Sequence, residues 1–330
     1  MRSKKDMPFA SALEALFGGE EPPIHLLYRL TDMKDEDFAY FKRVWPTVHE
    51  ERRRVLARHM ADIVEEDFLV DFTPVFDYLF TDESAEVRQS ALDGVWDSDD
   101  PRLIPLILAM LQNDASTSVR AAAARALAHF VLLSEWGQFD PAQAKPIVAA
   151  LLAEYENPST ALEVRRATLE AMSSAAHPRI AELIDAAYED GTEELQLSAI
   201  FAMGNSADER WLPILLEELS SPSPDFRAEA ARACGMIGHA DAVDDLETLV
   251  DDVEKEVGLA AIIALGQIGG DRALELLTRL SEDPDYDEFC DAIDDALEEL
   301  EWGDSEFEML SLAEDDDEFD LLDDDDLLLN

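Results

Sequence analysis

The sequence predicts an all-α fold, a superhelix of short antiparallel helix pairs, from three observations. Apolar anchors recur at Val164, Leu195, Phe226 and Val257, in three successive steps of 31 residues. Within each block a small residue follows the anchor at +4 and an apolar one at +8, the spacing of a single helix face. No stretch shows the two-residue alternation of a half-buried strand. One pair of helices cannot bury both of its faces. The expectation is therefore a stack of about eight pairs between residues 35 and 302.

The elements follow in chain order. Residues 1–34 read as an N-terminal segment with a short helix, ahead of the repeats. The repeat pattern extends backward from Val164 to Val119 and Val87, which are 32 apart, and forward to Phe289, 32 beyond Val257. Ala91, Ala123, Ala199, Ala230 and Ala261 fill the +4 position, where small side chains let neighbouring helices approach closely. Pro74, Pro105, Pro146 and Pro213 stand near the expected starts of the intervening helices, where a missing N–H costs little. Gly204, Gly238 and Gly269 stand where anchor helices are expected to end. One step is long. Val119 to Val164 spans 45 residues, and the extra 14 fall around His129 to Lys145.

The runs Val119-Arg120 to Ala126-Leu127 and Val164-Arg165 to Met172, the Ile-Gly pairs 237–238 and 268–269, and Arg272-Ala273-Leu274 carry a resemblance to a known family. The chain resembles the HEAT-repeat family, in particular the short HEAT-like repeats of the phycobilin-lyase type. An acid six residues before the repeat arginine, as in Asp82/Arg88 and Asp114/Arg120, belongs to the same pattern. The pattern weakens at Gln196, Gly258 and Cys290, where the arginine is absent, and at Ser159 and Ser221, which replace the acid. The resemblance implies a HEAT-like solenoid in which the acid caps its own helix and the arginine reaches the cap of the next unit. It implies little about function, because such repeats bind many partners.

Charge narrows the partners. The formal net charge is −51 over 330 residues, yet residues 1–60 are nearly neutral, with 11 basic against 10 acidic side chains. Residues 281–330 carry 24 acids and no Lys or Arg. Such a field repels nucleic-acid phosphates and anionic membranes and attracts basic proteins. A surface tuned for solubility or high salt is the competing reading. The apolar runs are far shorter than the roughly 18 residues a membrane span needs. Two distant cysteines give no disulfide framework. The expected setting is cytoplasmic.

No catalytic constellation, cofactor motif or metal-ligand spacing is present in the sequence. His177 and His239 fall in turns and read as caps. Cys234 reads as core, and Cys290 as a thiol whose acidic neighbours raise its pKa. Three features rise above this background. Phe130, Trp136 and Phe139 lie in the long step, either stapling a wider loop to the stack or forming a protruding contact loop. Arg52, Arg53, Arg54 and Arg58 form a basic cluster, read as a solvated helix face or as a docking site for the acidic tail. Residues 303–330 interleave acids with Phe319, Leu321, Leu322, Leu327 and Leu328, as in a disordered acidic–hydrophobic tail that folds onto a partner or onto the chain itself, an inert solubility tail being the other reading. The functional expectation is a non-catalytic scaffold or adaptor, chaperone-like toward a basic protein. The alternative, implied by the resemblance alone, is a lyase-like enzyme or subunit acting on a tetrapyrrole-carrying protein.

Overall fold

The computed structural model describes residues 7–300 except Glu20, Asp32 and Phe68. Among the described residues every regular element is helical. Contacts divide the chain into two compact units, Met1–Ser198 and Ala199–Asn330.

The first unit opens with α1 (Phe9–Phe17) and a 3-10 turn at Ile24–Leu30. Then come α2 (Asp35–Val44) and α3 (Glu50–Glu66), α4 (Thr73–Leu79) and α5 (Ala85–Asp93), α6 (Ile104–Asn113) and α7 (Thr117–Glu135). After these come α8 (Pro141–Glu156) and α9 (Leu162–Met172), then α10 (Pro178–Asp190). Helix α11 (Glu193–Asn205) spans the division. The second unit continues with α12 (Leu212–Glu218) and α13 (Pro224–Ile237), α14 (Val243–Leu249) and α15 (Lys255–Ile268), and α16 (Gly270–Ser281) with helical residues 290–300. The helix pairs α2/α3 through α16/290–300 number eight among the described residues, as the spacing predicts. Tail residues 303–330, with Phe319, Leu321, Leu322, Leu327 and Leu328, lie outside the described residues.

The anchors begin the second helix of each pair. Val87, Val119, Val164, Leu195, Phe226 and Val257 are all buried, and so are the alanines at +4. Phe289 breaks the series. It ends a 3-10 turn at Pro284–Phe289 and is only half-buried. At the other end, Leu13, Leu16, Leu27, Leu30, Phe41 and Trp45 are buried together, so α1 and its 3-10 turn cover apolar surface of the first pair. Pro74, Pro105 and Pro213 sit in the first turn of their helices, as expected. Pro146 does not. Helix α8 starts earlier, at Pro141, with the Asp140 carboxylate accepting the Ala142 N–H, and this leaves Pro146 in the helix interior.

Gly238 closes α13 in the left-handed region at φ 74°, the conformation that favours glycine there. Gly204 stands at the end of α11, one residue before its last, as the sequence places it, and it has a packing role there as well. A Cβ at Gly204, in the last turn of α11, would sit 2.5 Å from Ala233 Cα on α13. Gly235 and Gly266 repeat the arrangement at steps of 31, with the would-be Cβ 2.9 Å from Ala264 Cα and 3.0 Å from Ala296 Cα. In the second unit, therefore, the second helices of successive pairs pack backbone against backbone.

A second ladder is ionic. The Arg88 guanidinium donates two hydrogen bonds to Asp114, at 2.8 and 2.7 Å, and Asp114 in turn accepts the Ser116 N–H at the start of α7. Arg227 grips Asp252 in the same two-pronged way at 2.7 and 2.9 Å, and Asp252 accepts the Glu254 N–H ahead of α15. Each arginine thus ties one pair to the cap of the next. At Asp114 burial pushes the carboxyl upward, but the bonds from Arg88 and Ser116 outweigh it and hold the pKa below its ordinary value. At Asp252 the bond from Arg227 is the largest influence, and the result is the same.

Candidate partner-binding surface

The long step resolves into two long helices. Helix α7 runs 19 residues and α8 runs 16, joined by a turn at residues 136–140. The three aromatics of this stretch part company. Phe130 is fully buried in α7, with its ring 5.5 Å from that of half-buried Phe139. That pair staples the turn to the stack. Trp136 alone projects, 64% exposed. Beside it, the end of α7, the outer side of α8 and the turn before α10 enclose an apolar groove of about 520 Å³. Pro141, Val148, Leu152 and Ala175 line it, with Lys145 and His177 at its polar points. Glu135 fixes one wall by accepting the Ala176 N–H at 3.1 Å.

The basic cluster on α3 also divides. Consecutive helical residues point about 100° apart, so a run of arginines cannot form one patch. Arg53 turns inward and is buried. It pairs with Asp82, donates to the Val48 carbonyl, and is the first rung of the arginine ladder. Trp45 Nε1–H completes the Asp82 site at 2.8 Å. Arg52 reaches the Gly19 carbonyl at 2.5 Å. Arg54 pairs with Glu50 and Glu86, and Arg58 with Asp62 and Asp93. These arginines hold neighbouring segments of the first unit together and do not line up as a free cationic surface.

The titratable groups behave as structure. The side chains of His49, His177 and His239 each accept the N–H two residues on and cap the following helix. Burial pushes the Cys234 thiol up to about 12. Cys290 is exposed, and the Asp291 carboxylate raises its pKa. Among the described residues no group of His, Cys, Asp and Glu is placed to hold a metal ion. Among the same residues no helix is long and apolar enough to cross a membrane.

A feature missed by sequence reasoning lies in the second unit. On the solvent side of the second helices, the first unit presents charged groups, Asp93 on α5, Arg125 on α7 and Glu170 on α9. On α13 and α15 the corresponding face carries Met236, Leu259 and Ile263, each 37–41% exposed. Around them the charge is one-sided. Residues 199–300 contain 26 acids and six basic residues. All six basic side chains are engaged in the unit itself: Arg210 with Asp208, Arg227 with Asp252, Arg232 with Glu229 and Glu256. Lys255 pairs with Glu288, and Arg272 and Arg279 share Glu247.

Repeated helix pairs, tied by a cap-gripping arginine and packed through small residues, define a helical repeat protein. The HEAT-repeat family model matches residues 72–173, 180–257 and 212–298, and the chain belongs to the HEAT-repeat family. The match describes HEAT repeats and does not single out the phycobilin-lyase type. No curated protein matches the sequence. Among solved structures, the Escherichia coli protein YibA is 19% identical over 86% of this chain and 98% of its own, with a TM-score of 0.45. Human deoxyhypusine hydroxylase, solved with glycerol, is 18% identical over 89% of this chain and 96% of its own, at 0.34. Importin beta is 12% identical over 88% of this chain and 46% of its own, at 0.43.

Proposed function

We propose that this protein is a non-catalytic binding scaffold that holds a basic protein partner. The observation that carries the reading is the charge state of the second unit. The six Lys and Arg side chains of residues 199–300 are already paired within the unit, and the acids of the same residues outnumber them by 20. A basic surface brought against it gains attraction, steering and release of self-repulsion together. HEAT-type pairs suit the task, since stacking leaves one helix of each pair available along a continuous row. Affinity capture by the full chain at about 50 mM salt, where screening is weak, tests the reading. The captured proteins should be enriched in Lys and Arg relative to the input, and should be released as salt rises. Captured proteins no more basic than the input would overturn it.

A further inference from the structure

We infer that Met236, Leu259 and Ile263 form the anchoring site for a Lys/Arg-rich amphipathic helix laid across α13 and α15. The inference rests on the scaffold reading above and adds to it the place and the form of the partner. Four observations carry it.

The first is proximity. Gly235 brings the α13 backbone against Ala264 of α15, with a would-be Cβ only 2.9 Å from Ala264 Cα. Met236 and Ile263 are the chain neighbours of these two residues, and Leu259 lies one turn before Ile263. The three exposed apolar side chains thus sit on adjoining helices at one point of close contact. The second is the rim. Arg232 lies one turn before Met236, and Glu229 and Glu256 hold it, the latter with its side chain 75% exposed. Lys255, one turn before Leu259, is paired with Glu288, so acids border the apolar centre and both nearby cations are offset. This is the complement of a helix with an apolar stripe and basic flanks.

The third is dimension. Packed helices lie about 8–10 Å apart. A ligand helix rises about 1.5 Å per residue, so apolar residues at i, i+4 and i+7 span roughly 10 Å and reach both α13 and α15. The fourth decides between helix and strand. Strand addition needs an open row of backbone donors and acceptors, and α13 and α15 spend theirs internally.

The test uses the full chain and fluorescence anisotropy at 150 mM salt. The probes are a labelled Leu/Lys peptide with its leucines on one helical face, a shuffled peptide of the same composition, and a Leu/Glu version of the first. The facially amphipathic basic peptide should bind at least tenfold tighter than the shuffled one, and the acidic one should not bind. Met236→Lys, and separately the double variant Leu259→Gln/Ile263→Gln, should each weaken binding at least tenfold while helicity and melting stay near the parent's. If the shuffled peptide binds equally, or both variants retain full affinity, the site is wrong although the scaffold reading stands. If neither basic peptide binds, the scaffold reading falls with it. Concentration-dependent self-association abolished by Met236→Lys would show that a second copy occupies the patch, and would also overturn the inference.

Discussion

Replacing Gly204 by Ala sets two effects of opposite sign against each other. In an ordinary helix interior, alanine is favoured over glycine by about 0.5–1 kcal/mol, because glycine loses more conformational freedom on folding. Propensity alone predicts a more stable protein. The packing predicts the reverse. The new methyl carbon would stand 2.5 Å from Ala233 Cα, 2.8 Å from its Cβ and 3.1 Å from its carbonyl oxygen. Two of these atoms are backbone, so no rotamer change relieves the contact. An ordinary carbon–carbon distance of about 3.5–4 Å requires α11 and α13 to separate by roughly an ångström, which loosens dispersion contacts along the interface. Overpacking of this kind costs typically about 1–3 kcal/mol, enough to cancel the propensity gain and leave a net loss of about 1–2 kcal/mol. For a protein of this size, that corresponds to a fall in Tm of several degrees, at roughly 2–4 °C per kcal/mol. Thermal melts followed by circular dichroism measure it. A Tm at or above the parent's would refute the backbone-contact account of these glycines.

Further outcomes follow from the same packing. Ala230→Leu and Ala261→Leu, each at a fully buried +4 position, should cost roughly 1–3 kcal/mol in urea unfolding. Phe130→Ala should cost about 3–5 kcal/mol, whereas Trp136→Ser should stay within about 0.5 kcal/mol; equal effects would mean that the staple is misassigned. Asp114 and Asp252 have folded pKa values below their ordinary ones. Their stabilisation is therefore complete above about pH 4, the unfolded carboxylate pKa, and is lost as pH falls through the lower folded values. Asp252→Asn should flatten the part of the melting-temperature profile below pH 4 that Asp252 contributes; an unchanged profile would contradict the Arg227–Asp252 linkage.

The repeat was legible because it rests on burial with a fixed period. A 31-residue step and an alanine at +4 are properties of composition along the chain, and each corresponds to one buried position per helix pair. The ladder of arginine to acid was legible in part for the same reason, since Arg88 and Arg227 occupy a fixed place after the anchor. Arg53 was not legible. Its neighbours Arg52 and Arg54 make it look like one member of a surface cluster, and only the rotation of the helix sends it inward to Asp82. The helix-end place of Gly204 was legible but its packing role was not, because a glycine near a helix end serves equally as a terminator or as a close-approach residue. Only the position of Ala233 separates the two. The apolar patch had a signal that was passed over. Positions +2 and +6 after the anchor are Gln89 and Asp93 or Arg166 and Glu170 in two first-unit repeats, but Leu197 and Phe201 after Leu195, and Leu259 and Ile263 after Val257. The internal pairing of all six cations of residues 199–300 has no counterpart in sequence spacing, because the partners lie as close as two residues and as far as 33 apart.

The salt dependence of partner affinity tests the central claim most directly. A basic protein recovered by capture would be purified and titrated against the full chain between about 50 and 500 mM salt. Screening shortens electrostatic reach from more than 10 Å to a few ångströms across that range. The account predicts a Kd that weakens at least tenfold, with the loss falling mainly on the association rate. A Kd unchanged across the series would contradict it, and would assign the acidic surface to solvation instead of recognition.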